Sequence, residues 1–163
     1  MVPPRVHFLK ICSAACVLIF IWGLRGFGEA SEHITLSDTV YVSVYSNIYY
    51  GARGRPFQLA ATLSIRNTDP KYPISIVSAE YYDSEGNKIR DFMEKPLELK
   101  PLASTYFYVK EADTQGGSGA NFIVRWNARH KVNHPIIETV MTGVESGQGI
   151  SFICPGVSIT EHK

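Results

Sequence analysis

Phe57-Gln58-Leu59-Ala60-Ala61-Thr62-Leu63-Ser64-Ile65-Arg66 decides the fold. Phe57, Leu59, Ala61, Leu63 and Ile65 alternate with Gln58, Ala60, Thr62, Ser64 and Arg66. A period of two sends alternate side chains to opposite faces of a pleated strand, so this stretch reads as a strand with one dry and one wet face, the habit of antiparallel sheets. Just upstream, Val40, Val42 and Val44 alternate with Tyr41, Ser43 and Tyr45 in the same way. Burying the valines turns Tyr41 and Tyr45 outward. Further strands are expected at residues 74–82, 88–92, 104–109, 121–127, 136–144 and 150–154. No apolar spacing of three and four persists for two helical turns.

The links between these runs carry turn chemistry. Asp83-Ser84-Glu85-Gly86 separates two strand patterns, and Gly86 can take the left-handed backbone that closes a short hairpin. Asn67-Thr68-Asp69-Pro70 ends one strand, and Pro96 and Pro101 bracket Leu97 to Lys100 as an edge segment or crossover. Seven to eight short strands with turns about every ten residues predict an all-β fold, an antiparallel β-sandwich of immunoglobulin-like type. A barrel is the second choice. One core accounts for residues 31–163, without a second domain or repeat.

Residues 1–30 read as an export signal. Arg5 and Lys10 form a basic start, Ile11 to Leu24 carries no charge, and Gly28-Glu29-Ala30 supplies a small-x-small cleavage site before Ser31. An uncleaved inner-membrane anchor is the rival reading, against which fourteen helical residues rise only about 21 Å, short of a ~30 Å hydrocarbon core. The expected location is the periplasm or cell envelope, with membrane contact only through this segment. Without Arg5, Lys10, Arg25 and Glu29 the chain keeps 13 basic and 14 acidic residues. That balance gives no basic footprint for nucleic acid. Cys154 is then the one cysteine left, which rules out an internal disulfide and reads as a small buried hydrophobe.

Motifs that could carry chemistry are weak. Gly116-Gly117-Ser118-Gly119-Ala120 half-matches a serine nucleophile elbow, but it feeds a strand-like run where that motif needs a helix. His130, His134 and Glu138 recur at fours, yet Pro135 breaks the helix that would line them up on a metal. Asp91, Glu111 and Asp113 offer carboxylates without any spacing that pairs them across a cleft. Arg53 and Arg55 in Gly51-Ala52-Arg53-Gly54-Arg55 read as solvated loop charges. No catalytic residue, metal or cofactor is assigned, and a hydrolase using Ser118 or an acid pair stands last.

Three stretches together resemble a known family: Asn67-Thr68-Asp69-Pro70 with Tyr81-Tyr82-Asp83-Ser84-Glu85-Gly86; Leu102 to Thr105 leading into Gly116-Gly117-Ser118-Gly119-Ala120-Asn121-Phe122-Ile123-Val124-Arg125-Trp126; and Gly147-Gln148-Gly149-Ile150-Ser151-Phe152. The resemblance is to exported bacterial proteins known only as a domain of unknown function, and it spans Thr39 to Phe152. It implies a bacterial source, export and one compact domain, and assigns no residue a role.

Two surfaces remain as candidates. Burial of Phe107 and Val109 would turn Tyr106 and Tyr108 outward, where tyrosine supplies rigid amphipathic contact area. The glycine loop could grip a ligand with exposed backbone, beside Asp113, Gly116, Gly117, Gly119, Asn121, Arg125 and Trp126. The expected function is a protein-binding or structural module of the envelope whose protein partner is unknown. A small-molecule or carbohydrate-binding module is the alternative.

Overall fold

The structure, a computed structural model, describes residues 34–145 and 147–161, so the export segment lies outside the described residues. Twelve strands form among them: β1 (Ile34–Ser43), β2 (Asn47–Tyr50), β3 (Arg55–Gln58), β4 (Ala60–Arg66), β5 (Ile74–Tyr82), β6 (Lys88–Asp91), β7 (Leu97–Leu99), β8 (Ser104–Val109), β9 (Asn121–Asn133), β10 (Ile136–Glu145), β11 (Gln148–Pro155) and β12 (Val157–Ile159). The surplus over seven or eight comes from short pieces. The run from Phe57 to Arg66 breaks at Leu59, whose N–H donates to Ser46 O at 2.9 Å, and its first part pairs with β2 as a separate hairpin. Leu97–Leu99 adds to β5 as the edge segment foreseen between the prolines.

All pairings are antiparallel. One sheet runs β12-β1-β9-β5-β6, with β7 also on β5, and the other runs β11-β10-β4-β8. The pairs β4–β8 and β5–β9 reproduce the B–E and C–F pairs at the centre of an immunoglobulin sandwich. The flanking strands are exchanged. The first strand lies beside β9, where such a domain has its last strand, and β10 lies beside β4, where it has its first.

The alternation read from the sequence fills the space between the sheets. Val40, Val42, Val44, Leu59, Ala61, Leu63 and Ile65 are buried, and they meet Ile74, Ile76, Tyr81, Phe122, Val124, Trp126 and Met141. Phe122 and Phe92 pack against Tyr81 and each other with ring centres 5.1–6.3 Å apart. Strand β5 changes phase at a register shift between Ile76 and Ser78, which leaves Val77 exposed and returns Ala79 and Tyr81 to the core. Gly86 closes the β5–β6 hairpin at φ +83°, and Asp83 Oδ1 accepts the N–H groups of Glu85 and Asn87 at 2.9 and 2.8 Å. Tyr41 turns outward between buried Val40 and Val42, as expected, though it is half-buried, whereas half-buried Tyr45 packs against the core. The ring edge of Tyr45 meets Phe152, 5.8 Å between centres.

Candidate functional site

The outer faces of the two sheets have opposite chemistry. On the six-stranded sheet, Glu80 of β5 accepts hydrogen bonds from Lys88 Nζ and Arg125 Nη1, both at 2.6 Å, and from the Tyr82 hydroxyl at 3.0 Å. Arg125 also donates to Glu161 at 2.7 Å and Ser78 at 3.3 Å. Burial disfavours the Glu80 carboxylate, but its three donors outweigh that and hold its pKa down at about 2. Bonds to Glu161 and then Glu80 push Arg125 up in turn. Lys88, Glu80, Arg125 and Glu161 each have a counterpart in this row.

The four-stranded sheet turns out a different surface. Strand register places Tyr106, Ser64, Glu138 and Pro155 in one row across it, and Tyr108, Thr62, Val140 and Ile153 in the next. Directly opposed residues share a face, so both rows point away from the core. Tyr106 is 70% exposed, Tyr108 50% and Ile153 58%. Beyond Tyr108 the sheet carries a shallow depression of about 420 Å³, lined by Ala60, Tyr108, Glu111, Thr142, Val144 and Ser151. Rigid aromatic and aliphatic area, with hydroxyls between, is what protein contact surfaces favour.

The glycine loop occupies one end of the sandwich, and its backbone is already engaged. Gly117 O accepts from Ser46 N at 2.9 Å, Ala120 O from Val44 N at 2.8 Å, and Gly116 O from both Ser84 N and Ser84 Oγ. Gly119 N donates to Ser84 Oγ at 2.9 Å. Gly116 is buried with an ordinary φ of −70°, and a methyl group there would collide with the Tyr81 hydroxyl. Close approach and the positive φ of Gly117 (+71°) explain the glycines. Asp113 pairs with Arg90, whose guanidinium lies 4.9 Å from the Phe92 ring centre. Asn121 sits in the ladder between Ser43 and Tyr82.

The two candidate surfaces are therefore separate, and the residues expected around the glycine loop are themselves dispersed. Tyr106 and Tyr108 lie on the outer face of the four-stranded sheet, and Arg125 lies in the ion-pair row of the other. Asp113, Gly116, Gly117, Gly119 and Asn121 stay at the loop end, where the loop's backbone serves the fold. Trp126 is corrected outright. Its position on β9 opposite Asp38 and Ile76 turns it inward, where it is almost fully buried and offers nothing to a partner.

The far end of the sandwich holds a cluster that sequence spacing gave no hint of. Asp38, His134 and Ser158 come from β1, the β9–β10 link and β12. His134 Nε2 lies 2.7 Å from Asp38 Oδ2, and Ser158 Oγ donates to that same oxygen. His134 Nδ1 faces Pro135 O at 3.1 Å, and Trp126 meets the imidazole edge-on. A serine triad needs the carboxylate on one ring nitrogen and the hydroxyl on the other. Here Asp38 and Ser158 both approach Nε2, and Ser158 gives its proton to the carboxylate, so this wiring fastens β12 rather than activating a hydroxyl. His130 stacks on Tyr72 at 4.4 Å, and Glu138 faces out from β10. Among the described residues no three His, Cys, Asp or Glu side chains are grouped to hold a metal.

Residues 37–159, from within β1 to the end of β12, match the family model described as "Protein of unknown function (DUF3124)". The chain belongs to this family. Apart from Glu161, the residues described on both outer faces, the glycine loop and the Asp38–His134–Ser158 cluster lie inside the family domain. No curated protein matches the chain. Among solved structures, "Crystal Structure of Thermotoga maritima 1070" is similar at 9% identity and a TM-score of 0.44, covering 74% of this chain and 92% of that one.

Proposed function

We propose that this DUF3124 protein is an exported, non-catalytic module that binds another protein at the cell envelope through the outer face of its four-stranded sheet. The observation that carries the reading is the contrast between the two faces. One is a closed ion-pair row around Glu80, and the other sets Tyr106 and Tyr108 in register with Val140 and Ile153. Placement outside the cytoplasm rests on the basic, apolar and small-residue order of residues 1–30.

A photo-crosslinking residue at Tyr106, introduced in cells, should capture a discrete protein partner. The same residue at Ser78, on the opposite outer face, should not. Equal capture from both positions, or none from Tyr106, refutes the reading. A second reading, a carbohydrate in the depression beside Tyr108, is favoured by the hydroxyls of Thr142 and Ser151 around an aromatic ring. A glycan at a hundredfold over its dissociation constant would stabilise the fold by ~2.7 kcal/mol. The absence of a thermal shift across a panel of envelope glycans eliminates that alternative.

A further inference from the structure

Fourteen consecutive residues, 147–160, carry no charged side chain in a chain that is 19% charged. They fold into β11 at the edge of one sheet and, after the bend at Pro155-Gly156, β12 at the edge of the other. Both edge strands on one side of the sandwich are therefore uncharged, and they are not dry. Ile150, Ile153, Val157 and Ile159 are 37%, 58%, 62% and 38% exposed. Phe152 and Cys154, which point toward the core, are only partly covered.

Strand β11 pairs with β10 along one edge, and among the described residues no strand pairs with the other edge. An open edge of eight residues presents unpaired N–H and C=O groups, and proteins that stay monomeric blunt such edges with charge, bulges or proline. On the opposite side the edge of the six-stranded sheet is blunted in that way: β6 carries Lys88, Arg90 and Asp91, and the segment after it adds Glu94 and Lys95. There β8, the shorter far edge of the four-stranded sheet, is uncharged and carries the tyrosine face. On β11 the single such device is Pro155, at its last position.

We propose that β11 is the homodimer interface of this protein: two copies pair antiparallel along it and join their four-stranded sheets into one sheet of eight. A second copy is the occupant because an antiparallel strand edge is self-complementary under a two-fold axis, and an uncharged one meets its own image without repulsion. An axis perpendicular to the sheet keeps inner faces inner. A register centred on Phe152 then sets Ser151 opposite Ile153 on the outer face and Ile150 opposite Cys154 on the inner face. Pro155 falls opposite Gly149, which has no side chain to obstruct it. No disulfide is involved.

Sedimentation equilibrium of the full chain in a mild detergent should show a dimer, unchanged by reductant. Ser151→Lys/Ile153→Lys should weaken it about a hundredfold while leaving the circular dichroism spectrum intact. Mixing that variant with Ser151→Glu/Ile153→Glu should restore a dimer of one chain of each kind, which shows that both variants are folded. A monomeric wild type, a dimer lost on reduction, lysine variants that dimerise as before, or a mixture that stays monomeric would each overturn the proposal.

Discussion

Replacing Asn67 should cost this fold more than any surface change. Asn67 lies just past β4 and is almost fully buried. Its Nδ2 donates to the carbonyls of Tyr72, Leu99 and Lys100 at 2.9, 3.2 and 3.0 Å, and its Oδ1 accepts from Asp69 N at 3.0 Å. One amide therefore ties the β4–β5 link to the end of β7. Removing it takes this partner from the Asp69 N–H and the Tyr72 and Leu99 carbonyls, while Lys100 O keeps the Ala103 N–H, and a buried orphan costs ~1–3 kcal/mol. Water can reach the carbonyls of half-buried Tyr72 and exposed Lys100, so the net loss in Asn67→Ala should be ~3–5 kcal/mol. That is a large part of the ~5–15 kcal/mol that holds a domain together. The assay is urea unfolding, read as a fall of roughly 2 M in midpoint at unchanged slope. Asn67→Asp supplies the control, because it keeps size and shape but faces three carbonyls with an acceptor. It should be at least as damaging as alanine. Asn67→Asp within about 1 kcal/mol of wild type would refute the reasoning, since volume alone would then explain any effect of alanine.

Glu80, held at about 2 against an ordinary 4.5, contributes stability that is present above pH 4.5 and is lost as the pH falls toward 2. Because Lys88 and Arg125 are partly exposed, its share is ~1–2 kcal/mol; Glu80→Gln should lose that much at pH 7 and match wild type near pH 2, as pH-dependent urea melts would report. Gly116→Ala should destabilise by ~1–3 kcal/mol through the collision with the Tyr81 hydroxyl, and Gly116→Ala/Tyr81→Phe should recover part of the loss in thermal melts. Burial pushes the Cys154 thiol up, so at pH 7.5 the native protein should react with a disulfide reagent about tenfold more slowly than the urea-unfolded chain; equal rates would contradict the placement of Cys154.

The inside of this protein was legible in its sequence, and its outside was not. Alternation over Val40 to Val44 and Phe57 to Ile65 named buried side chains, because a period of two against one core has a single solution. The same logic breaks between Ile76 and Ala79, where a one-residue shift changes the phase of β5 and no local residue announces it. Trp126 obeyed the rule it was read against. It alternates in phase with Phe122 and Val124, and that phase alone would have excluded it from a surface site. Asp38, His134 and Ser158 lie 96 and 24 residues apart along the chain, so only the pairing of β1 with β9 and β12 brings them together. The character of each outer face depends on which strands become neighbours. Glu80 meets Arg125 through the β5–β9 pairing, and Tyr108 joins the row of Ile153 through two intervening strands. Strand order of that kind is written in no single segment.

The two proposals bear on each other through symmetry. A two-fold axis perpendicular to the four-stranded sheet leaves both outer faces pointing the same way, so a β11 dimer would present Tyr106 and Tyr108 twice on one continuous surface. A partner with two matching sites, or one that is itself a dimer, would then make its second contact at an effective concentration near the millimolar range. Monomerising the protein at Ser151 and Ile153 should therefore weaken partner binding even though Tyr106 and Tyr108 remain in place. A partner with a single site would be bound equally by monomer and dimer. Comparing partner affinity of the wild type with that of the charge-swapped mixed dimer separates the cases: affinity that returns with the dimer requires bivalence, and affinity that stays low means the added charges lie in the contact itself.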